Sequence, residues 1–257
     1  MTDINLSPRH ARAYREQYWY AGNFVESFMD IDSSSPLNIL EIGTAEAGLL
    51  KYFHEKGHSC YGIEYSPVRH KNSIELNEEF RDNLLHGDIT DINTYSAIAG
   101  IQFDVIVLRD VIEHVKDQSL ALRNIYSLLK PGGKFFVSFP PKHSPYAGHQ
   151  QVFPKKLGKL PYIYMLPDFL YKKVIHYTGL NEKSVDYYIF LKKNRLSIRK
   201  FQRLTSELNY KLIKIEKYFI RPCYEYRFNM NRTLNPLAKI PVIDEFTTLG
   251  SIFLLSK

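Results

Sequence analysis

Hydrophobic and polar positions follow two periods along this chain, and together they predict an α/β fold. Five short apolar runs are typical of buried strands. These runs are residues 37–42, 59–64, 84–89, 103–108 and 134–139. Amphipathic stretches of helical period lie among them, at residues 46–56, 66–80 and 117–129. Strands that alternate with helices predict a mostly parallel sheet with helices on both faces.

The segments around this core predict a helical cover and a cap. Residues 9–30 are typical of one amphipathic helix or two short ones, ended by Ser-Ser-Ser-Pro at 33–36. Prolines punctuate aromatic and basic segments in residues 140–195 and break the strand–helix rhythm. We therefore expect residues 1–36 to form an N-terminal helical cover. Residues 37–257 form the main domain, in which 140–195 is an inserted cap after the fifth strand.

The last part of the chain predicts the end of the sheet. Residues 197–209 are expected to form a helix, and the alternating run 211–220 a strand. Residues 221–245 contain three prolines and are expected to be irregular. A final strand is expected at residues 250–256.

Composition excludes several classes of protein. The chain has 257 residues, of which 44% are hydrophobic and 24% charged, so wholesale disorder is excluded. No apolar run reaches the ~18 residues of a spanning helix. Residues 1–12 lack the apolar core of a secretory signal. The two cysteines exclude a disulfide scaffold and a cysteine-rich zinc site, and a cytoplasmic location is expected.

Charge is distributed unevenly along the chain. The net charge of +7 divides into −6 for residues 1–139 and +13 for residues 140–257. This pattern indicates a mildly acidic first half joined to a basic, tyrosine-rich second half. The basic half could hold an anionic substrate, a membrane surface or nucleic acid, or it could be a solvated lysine-rich face.

The loop after the first predicted strand carries the first candidate chemistry. Gly43, Ala45 and Gly48 occupy the positions of G-x-G-x-x-G, with alanine in the middle. In nucleotide folds the first glycine makes the turn, the second admits a pyrophosphate and the third packs the helix on the strand. A methyl group at Ala45 would crowd a pyrophosphate. A nucleoside ligand without phosphate, such as S-adenosylmethionine, meets less of an obstacle.

Two carboxylates follow at the ends of the next strands. Glu64 lies 21 residues beyond Gly43, where a carboxylate can accept hydrogen bonds from both ribose hydroxyls. Asp88 could accept from an adenine amino group while Ile89 lies against the base. The alternatives are a surface glutamate at position 64 and a turn-capping aspartate at position 88.

These residues resemble a known family, the class I S-adenosylmethionine-dependent methyltransferases. Five segments match the family's motifs in order and spacing, although Ala45 and Ala47 replace usual glycines. The segments are residues 41–48, Glu64, residues 87–89, 103–115 and 129–133. The resemblance implies a Rossmann-like seven-stranded, mostly parallel sheet with helices on both faces. Its last strand is antiparallel, and residues 211–220 and 250–256 supply the closing hairpin.

The resemblance also implies S-adenosylmethionine as cofactor and a set of contacts to it. Glu41 would orient the loop and assist the methionine ammonium, and the backbone at Gly43 and Arg109 would contact the methionine part. Gln17 or Tyr18 of the N-terminal helix would cover the cofactor, unless these side chains only pack. The expected cofactor-binding residues are Glu41, Gly43, Thr44, Ala45, Gly48, Glu64, Tyr65, Asp88, Ile89 and Arg109.

Two histidines are candidates for the substrate side. His114 follows the fourth predicted strand and His149 follows the fifth, so both lie at the edge where ligands bind. Either could act as a general base, but His114 could instead fix its turn and His149 could belong to an ordinary polar loop. Asp110 and Glu113 lie on the same turn as His114. Ligands from a single turn are spaced too closely for a metal, so no metal is expected.

The sequence thus predicts an enzyme that transfers a methyl group to a small-molecule or glycan-type acceptor, with oxygen as the expected accepting atom. The alternatives are a nucleic-acid methyltransferase that uses the basic half, and a non-catalytic binding protein. The apolar segment 160–173, which ends in Lys172 and Lys173, predicts a lid, a peripheral membrane contact or simple packing of the cap. The acceptor and the oligomeric state are not encoded in any motif.

Overall fold

The computed structural model describes residues 6–31 and 34–257 and contains one mixed sheet. Its strands are β1 (Asn38–Ile42), β2 (Ser59–Glu64), β3 (Leu84–His86), β4 (Phe103–Arg109), β5 (Leu129–Phe139), β6 (Lys211–Ile220), β7 (Thr233–Leu234) and β8 (Gly250–Ser256). Their order in the sheet is β3-β2-β1-β4-β5-β8-β6-β7. The first five strands are parallel, and β8 runs antiparallel between β5 and β6. The predicted sheet is confirmed, with the two-residue β7 added at its edge.

Helices cover both faces of this sheet. They are α1 (Pro8–Tyr20), α2 (Glu26–Met29), α3 (Gly48–Glu55), α4 (Pro67–Leu76), α5 (Gln118–Leu128), α6 (Asp168–Tyr177), α7 (Glu182–Asn194), α8 (Ile198–Glu207), α9 (Cys223–Phe228) and α10 (Ile243–Thr247). α5 and α8 pack on one face through Ala121, Ile125 and Phe201. α2 and α3 pack on the other face, where Phe28 and Phe53 are buried.

The N-terminal cover is one continuous helix. A π-helical segment, Ala21–Val25, joins α1 to α2. Phe24 and Phe28 pack edge-on against Phe136 of β5, which fixes this helix on the sheet. Asp30 ends the helix in the left-handed conformation with φ 49°. Ser33 of the predicted break lies outside the described residues.

Some predicted boundaries were wrong for identifiable reasons. The fifth strand was expected to begin at residue 134, but β5 begins at Leu129, which pairs with Phe103 across a register shift. The helix expected to extend to residue 80 ends at Leu76. There Asn77 donates hydrogen bonds from its side chain to the carbonyls of Ser73 and Glu46.

The part of the chain after β5 is more ordered than its prolines suggest. Residues 140–195 contain α6, α7 and short 3₁₀ turns, and they bury a separate apolar cluster that includes Phe153, Tyr164 and Tyr171. Residues 221–245 were expected to be irregular, but α9, β7 and the start of α10 lie there. Within the described residues, no helix has both the length and the apolar character that a bilayer crossing requires.

Candidate functional site

The loop between β1 and α3 bends sharply and carries the first part of the site. Gly43, Ala45 and Ala47 have φ angles of 71°, 53° and 61°. These are left-handed conformations that glycine adopts freely and alanine adopts at a steric cost. The two alanines therefore keep the backbone of a glycine-rich loop. The departure from the family's motif changes the residue type and leaves the shape of the loop in place.

Two glycines of this loop are required by close contacts. A Cβ atom on Gly43 would lie 2.3 Å from Cγ2 of Val111, so the loop after β1 touches the loop after β4. A Cβ atom on Gly48 would lie 2.2 Å from the carbonyl oxygen of Tyr14 in α1. The loop is thus held between the N-terminal helix and the turn that carries His114.

Glu64 at the end of β2 faces this loop. Its Oε2 accepts a hydrogen bond from the Ala45 amide at 2.7 Å, and its Oε1 accepts from the Ser66 amide at 2.8 Å. A carboxylate has about four lone-pair sites, so two remain for a ribose diol. The geometry fits a nucleoside ligand at this position. Tyr65, the next predicted contact, is 72% exposed.

The third strand ends in a turn that Asp88 stabilises. Asp88 Oδ1 accepts from the amide and the hydroxyl of Thr90 at 2.8 Å and 2.7 Å. The alternative role as a turn cap is thus present, and the adenine contact stays a prediction. Ile89 is 5% exposed and belongs to the core, while its carbonyl accepts a hydrogen bond from Asn124.

Two ionisable groups lie beneath the loop, the buried Glu41 and the largely buried Arg109. Glu41 Oε2 accepts from the Thr44 hydroxyl at 2.8 Å, and burial raises the pKa of Glu41 to about 8. Arg109 donates to Glu16 at 2.5 Å and stacks on the Tyr20 ring at 4.2 Å. Burial lowers the pKa of Arg109, but the nearby Glu16, Tyr20, Cys223 and Asp110 together more than offset this and raise it above its usual range.

The N-terminal helix reaches the loop through Gln17. Gln17 Oε1 accepts from the Gly48 amide at 2.9 Å, and its Nε2 donates to Glu46 at 3.2 Å. Tyr18 donates instead to Glu55 in the last turn of α3. Of the two predicted covering residues, only Gln17 contacts the loop. No local pattern pointed to Glu16, which pairs with Arg109 from 93 residues away.

On the substrate side, the structure brings together three groups from two loops. Oε1 of Glu113 lies 3.8 Å from Nε2 of His114 and 3.8 Å from Nε2 of His149. The two imidazole rings are 5.0 Å apart. Both predicted histidines therefore meet at this edge of the sheet. Asp110, on the same turn as Glu113, does not join the cluster. Both of its carboxylate oxygens accept hydrogen bonds from Arg221 at 2.6 Å.

Burial determines the protonation of this cluster. It lowers the pKa of His149 to about 4, with a smaller contribution from His114, and it also lowers the pKa of His114. Both imidazoles are therefore neutral at physiological pH and can accept a hydrogen bond. Burial, with the nearby Asp110 charge, raises the pKa of Glu113 well above its usual range.

The predicted lid segment is largely structural. Tyr164 and Tyr171 are fully buried in the cap, and the Tyr164 hydroxyl donates to the Ser144 carbonyl at 2.6 Å. Phe169 remains 64% exposed. The packing alternative therefore describes most of this segment, and membrane contact stays a prediction.

Comparison with known proteins identifies a family. A family model described as a methyltransferase domain matches residues 12–184. Phosphoethanolamine N-methyltransferase 2 of Caenorhabditis elegans is 31% identical over 101 residues, which are 39% of this chain and 23% of that protein. Phosphoethanolamine N-methyltransferase 1 of Triticum aestivum is 31% identical over 134 residues, which are 51% of this chain and 26% of that protein. The chain thus matches about a quarter of the length of these curated relatives.

Solved structures share the fold at low sequence identity. A possible histamine N-methyltransferase from Thermotoga maritima has a TM-score of 0.51 and 15% identity, and the match covers 96% of this chain and 90% of that one. A putative sarcosine dimethylglycine methyltransferase from Galdieria sulphuraria has a TM-score of 0.55 and 14% identity, covering 95% and 85% of the two chains. The plantazolicin methyltransferase BamL, solved with S-adenosylhomocysteine, has a TM-score of 0.54 and 11% identity, covering 96% and 85%.

These findings confirm the predicted family, the predicted fold class and S-adenosylmethionine as the family's cofactor. The family match alone includes the N-terminal helix, the whole parallel half of the sheet and most of the cap. The chain belongs to the class I S-adenosylmethionine-dependent methyltransferases.

Proposed function

We propose that this chain transfers a methyl group from S-adenosylmethionine to a hydroxyl of a small-molecule or glycan-type acceptor. The observation that supports this most is the position of two neutral histidines beside the loop that fits the nucleoside. Val111, three residues before His114, touches Gly43 of that loop. His149 joins His114 from the loop after β5. In this proposal the acceptor would therefore meet the cofactor at the carboxyl edge of the sheet.

The cofactor-binding residues in this proposal are those of the loop and the strand ends. Glu64 would hold the ribose with its two remaining lone-pair sites, and Asp88 with Ile89 would hold the adenine. The loop from Gly43 to Gly48, oriented by Glu41, would enclose the methionine part. Bound S-adenosylmethionine supplies an activated sulfonium whose methyl group is displaced in line.

The histidines would act on the acceptor. Nε2 of His149 is buried and has no hydrogen-bond partner, so it is available to a hydroxyl that enters the site. A hydroxyl becomes a better nucleophile when a neutral imidazole accepts its hydrogen bond and takes the proton as the methyl group arrives. His114 offers a second imidazole 5.0 Å away. Most of the rate enhancement would come from holding the two reactants in line.

N-methylation is the second candidate. It is favoured by the similarity to two phosphoethanolamine N-methyltransferases, each over about a quarter of its length. A neutral imidazole could accept a proton from an amine as well as from a hydroxyl. The +13 charge of residues 140–257 would suit a phosphorylated or otherwise anionic acceptor. Nucleic acid is a third class of anionic acceptor.

Calorimetric titration with S-adenosylhomocysteine tests the cofactor assignment. Replacing Glu64 by Ala should weaken binding about a hundredfold, because two charge-assisted hydrogen bonds to ribose are lost. Glu64→Gln keeps the size of the side chain and checks that the loop still folds. Glu75→Ala is the matched control, since Glu75 is an exposed residue of α4. Unchanged affinity in Glu64→Ala would overturn the ribose contact, and NADH should not bind.

Methyl transfer from radiolabelled cofactor then tests the acceptor class. Hydroxyl compounds, amines and RNA are assayed in parallel, and His149→Ala should lower kcat while the KM for the cofactor stays constant. Turnover only on amines would overturn the oxygen assignment. RNA methylation with steep salt dependence would identify nucleic acid as the acceptor. Cofactor binding without turnover on any acceptor would favour a binding protein.

A further inference from the structure

The cluster of Glu113, His114 and His149 brings together more polar groups than a single general base requires. The three side chains come from two loops, one after β4 and one after β5. Their ligand-type atoms, one carboxylate oxygen and two imidazole nitrogens, all lie within 4.8 Å of one another. His149 lies 35 residues beyond His114 in the sequence, so only the folded sheet brings the two loops together.

Glu113 is unusual among the buried acids of this chain. It is 1% exposed, and neither carboxylate oxygen has a hydrogen-bond partner. Each of the other buried glutamates has one or more. These are Glu16, Glu41, Glu46 and Glu64. A buried carboxyl group whose oxygens have no hydrogen-bond partner is destabilising even in its neutral form, and native proteins rarely keep one without a bound group to compensate it.

The chemistry of the cluster favours a cation as the bound group that would compensate Glu113. Two imidazole nitrogens with one carboxylate oxygen are a donor set typical of zinc and neighbouring divalent transition metals, whereas magnesium and calcium prefer oxygen ligands alone. Ligand atoms around a tetrahedral zinc ion lie about 3.4 Å apart. The two 3.8 Å separations from Glu113 would need to contract by about half an ångström, and the separation of the two imidazole nitrogens, which is at most 4.8 Å, by up to about 1.4 Å.

We propose that Glu113, His114 and His149 bind a divalent transition-metal ion, with zinc as the reference case. No metal was expected from the sequence, because ligands on a single turn are spaced too closely. The structure adds His149 from a second loop and removes Asp110, which is held by Arg221. Three protein ligands leave at least one coordination position for another molecule.

Groups around the cluster would support this site. Nδ1 of His114 lies 3.3 Å from the Tyr187 hydroxyl, while its Nε2 faces Glu113. With Nε2 on the metal, Nδ1 carries the hydrogen and donates to Tyr187, as is usual for metal-bound histidine. Asn194 donates from its side chain to the carbonyls of Glu113 and Val115 and so fixes the turn. α7 of the cap therefore holds the ligand loop in place.

The role of the ion rests on the proposed function. A metal beside the acceptor could bind the acceptor oxygen and lower the pKa of its hydroxyl, which is the ordinary use of an open zinc position. His114 and His149 would then serve as ligands instead of as bases. The binding of the ion is measurable without any acceptor.

The test uses the full chain after treatment with a chelator. Zinc is titrated calorimetrically, and bound metal is counted by mass spectrometry after gel filtration. Cobalt is added in place of zinc to observe visible d–d absorption, which reports coordination by the protein. We expect one equivalent of metal. We expect Glu113→Gln and His149→Ala each to weaken zinc binding at least about tenfold.

A matched control separates this site from adventitious binding by surface histidines. His176 and Glu182 form an exposed pair with 3.5 Å between Nε2 and Oε1, and among the described residues no third ligand-type group joins them. His176→Ala should leave zinc affinity unchanged. Tyr187→Phe should weaken binding about tenfold, because only the support of His114 is removed. Circular dichroism of each variant verifies folding, and Glu113→Gln preserves side-chain size if His149→Ala does not fold.

Two results would overturn the proposal. One is less than one equivalent of zinc on the wild-type chain, and the other is equal zinc affinity in the wild type and both ligand variants. S-adenosylhomocysteine titration on the same samples separates the two proposals. Cofactor binding without metal binding refutes only the metal site. Metal binding without cofactor binding refutes the methyl-transfer function and leaves the ion site standing.

Discussion

The left-handed alanines of the loop after β1 lead to a quantitative prediction about stability. Ala45 is 4% exposed and Ala47 is fully buried, and both have positive φ. Replacing a buried alanine by glycine ordinarily destabilises the folded protein for two reasons. It removes a buried methyl group, worth about 0.8 kcal/mol. It also gives the unfolded chain more freedom, worth about 0.5–1 kcal/mol.

At these two positions a third contribution has the opposite sign. An L-residue in the left-handed region carries a steric penalty of about 1–2 kcal/mol, which glycine does not. The three contributions nearly cancel, so we expect Ala45→Gly and Ala47→Gly each to change the free energy of unfolding by less than about 0.5 kcal/mol. Ala121 in the middle of α5 is the control, because it is equally buried in a right-handed helix. Ala121→Gly should destabilise by about 2 kcal/mol.

Urea unfolding monitored by circular dichroism measures all three variants against the wild type. The test of this prediction is the difference in stability loss between the loop variants and Ala121→Gly. We expect about 1.5 kcal/mol, which is well above the error of matched titrations with equal m-values. Loop variants that lose as much stability as Ala121→Gly would refute it. That result would mean that the backbone is not left-handed there or that the methyl groups make unusually good contacts.

Three further predictions follow from buried groups around the same loop. Glu16→Gln removes the carboxylate that forms an ion pair with Arg109 and should destabilise the fold by about 3 kcal/mol in urea unfolding. A loss under about 1 kcal/mol would contradict the pairing. Burial raises the pKa of Glu41 to about 8, so its stabilisation is present below about pH 4.5 and is lost as pH rises through 8. Glu41→Gln should flatten that decline in pH-dependent unfolding, and an unchanged slope would contradict the shift. Gly48→Ala places a Cβ atom against the Tyr14 carbonyl oxygen and should lower the free energy of unfolding by about 1–3 kcal/mol. Amide hydrogens of α1 should then exchange faster, and exchange protection equal to that of the wild type would contradict this contact.

The sheet was predictable because each strand is marked by the residues within it and next to it in the sequence. The apolar run from Phe103 to Leu108 is bounded by polar residues, and Gly57 marks the end of α3, so periodicity and turn chemistry suffice there. The start of β5 was missed because Pro131 and the two glycines after it signal a turn. A register shift across from β4 lets the chain keep pairing through them.

The site was predictable only in part, for a different reason. The residues Glu41, Gly43 and Glu64 follow a motif whose spacing is fixed by one strand–loop–helix unit, and local sequence can reveal such a unit. Glu16 and His149 reach the site from distant segments. Their positions depend on how the N-terminal helix and the cap pack, and no local pattern encodes that packing. His149 was singled out for its polar loop, but its meeting with Glu113 could not be foreseen.

The place of β8 in the sheet has a consequence for how the chain folds. β8 lies between β5 and β6, and residues 221–249 separate it from β6 in sequence. During synthesis β6 has only the two-residue β7 to pair with until β8 has left the ribosome. The parallel half, β1 to β5, can assemble first, while β5 waits with one open edge. Such an edge invites pairing with other chains, so translation through residues 221–249 is the interval in which this protein is most exposed to aggregation.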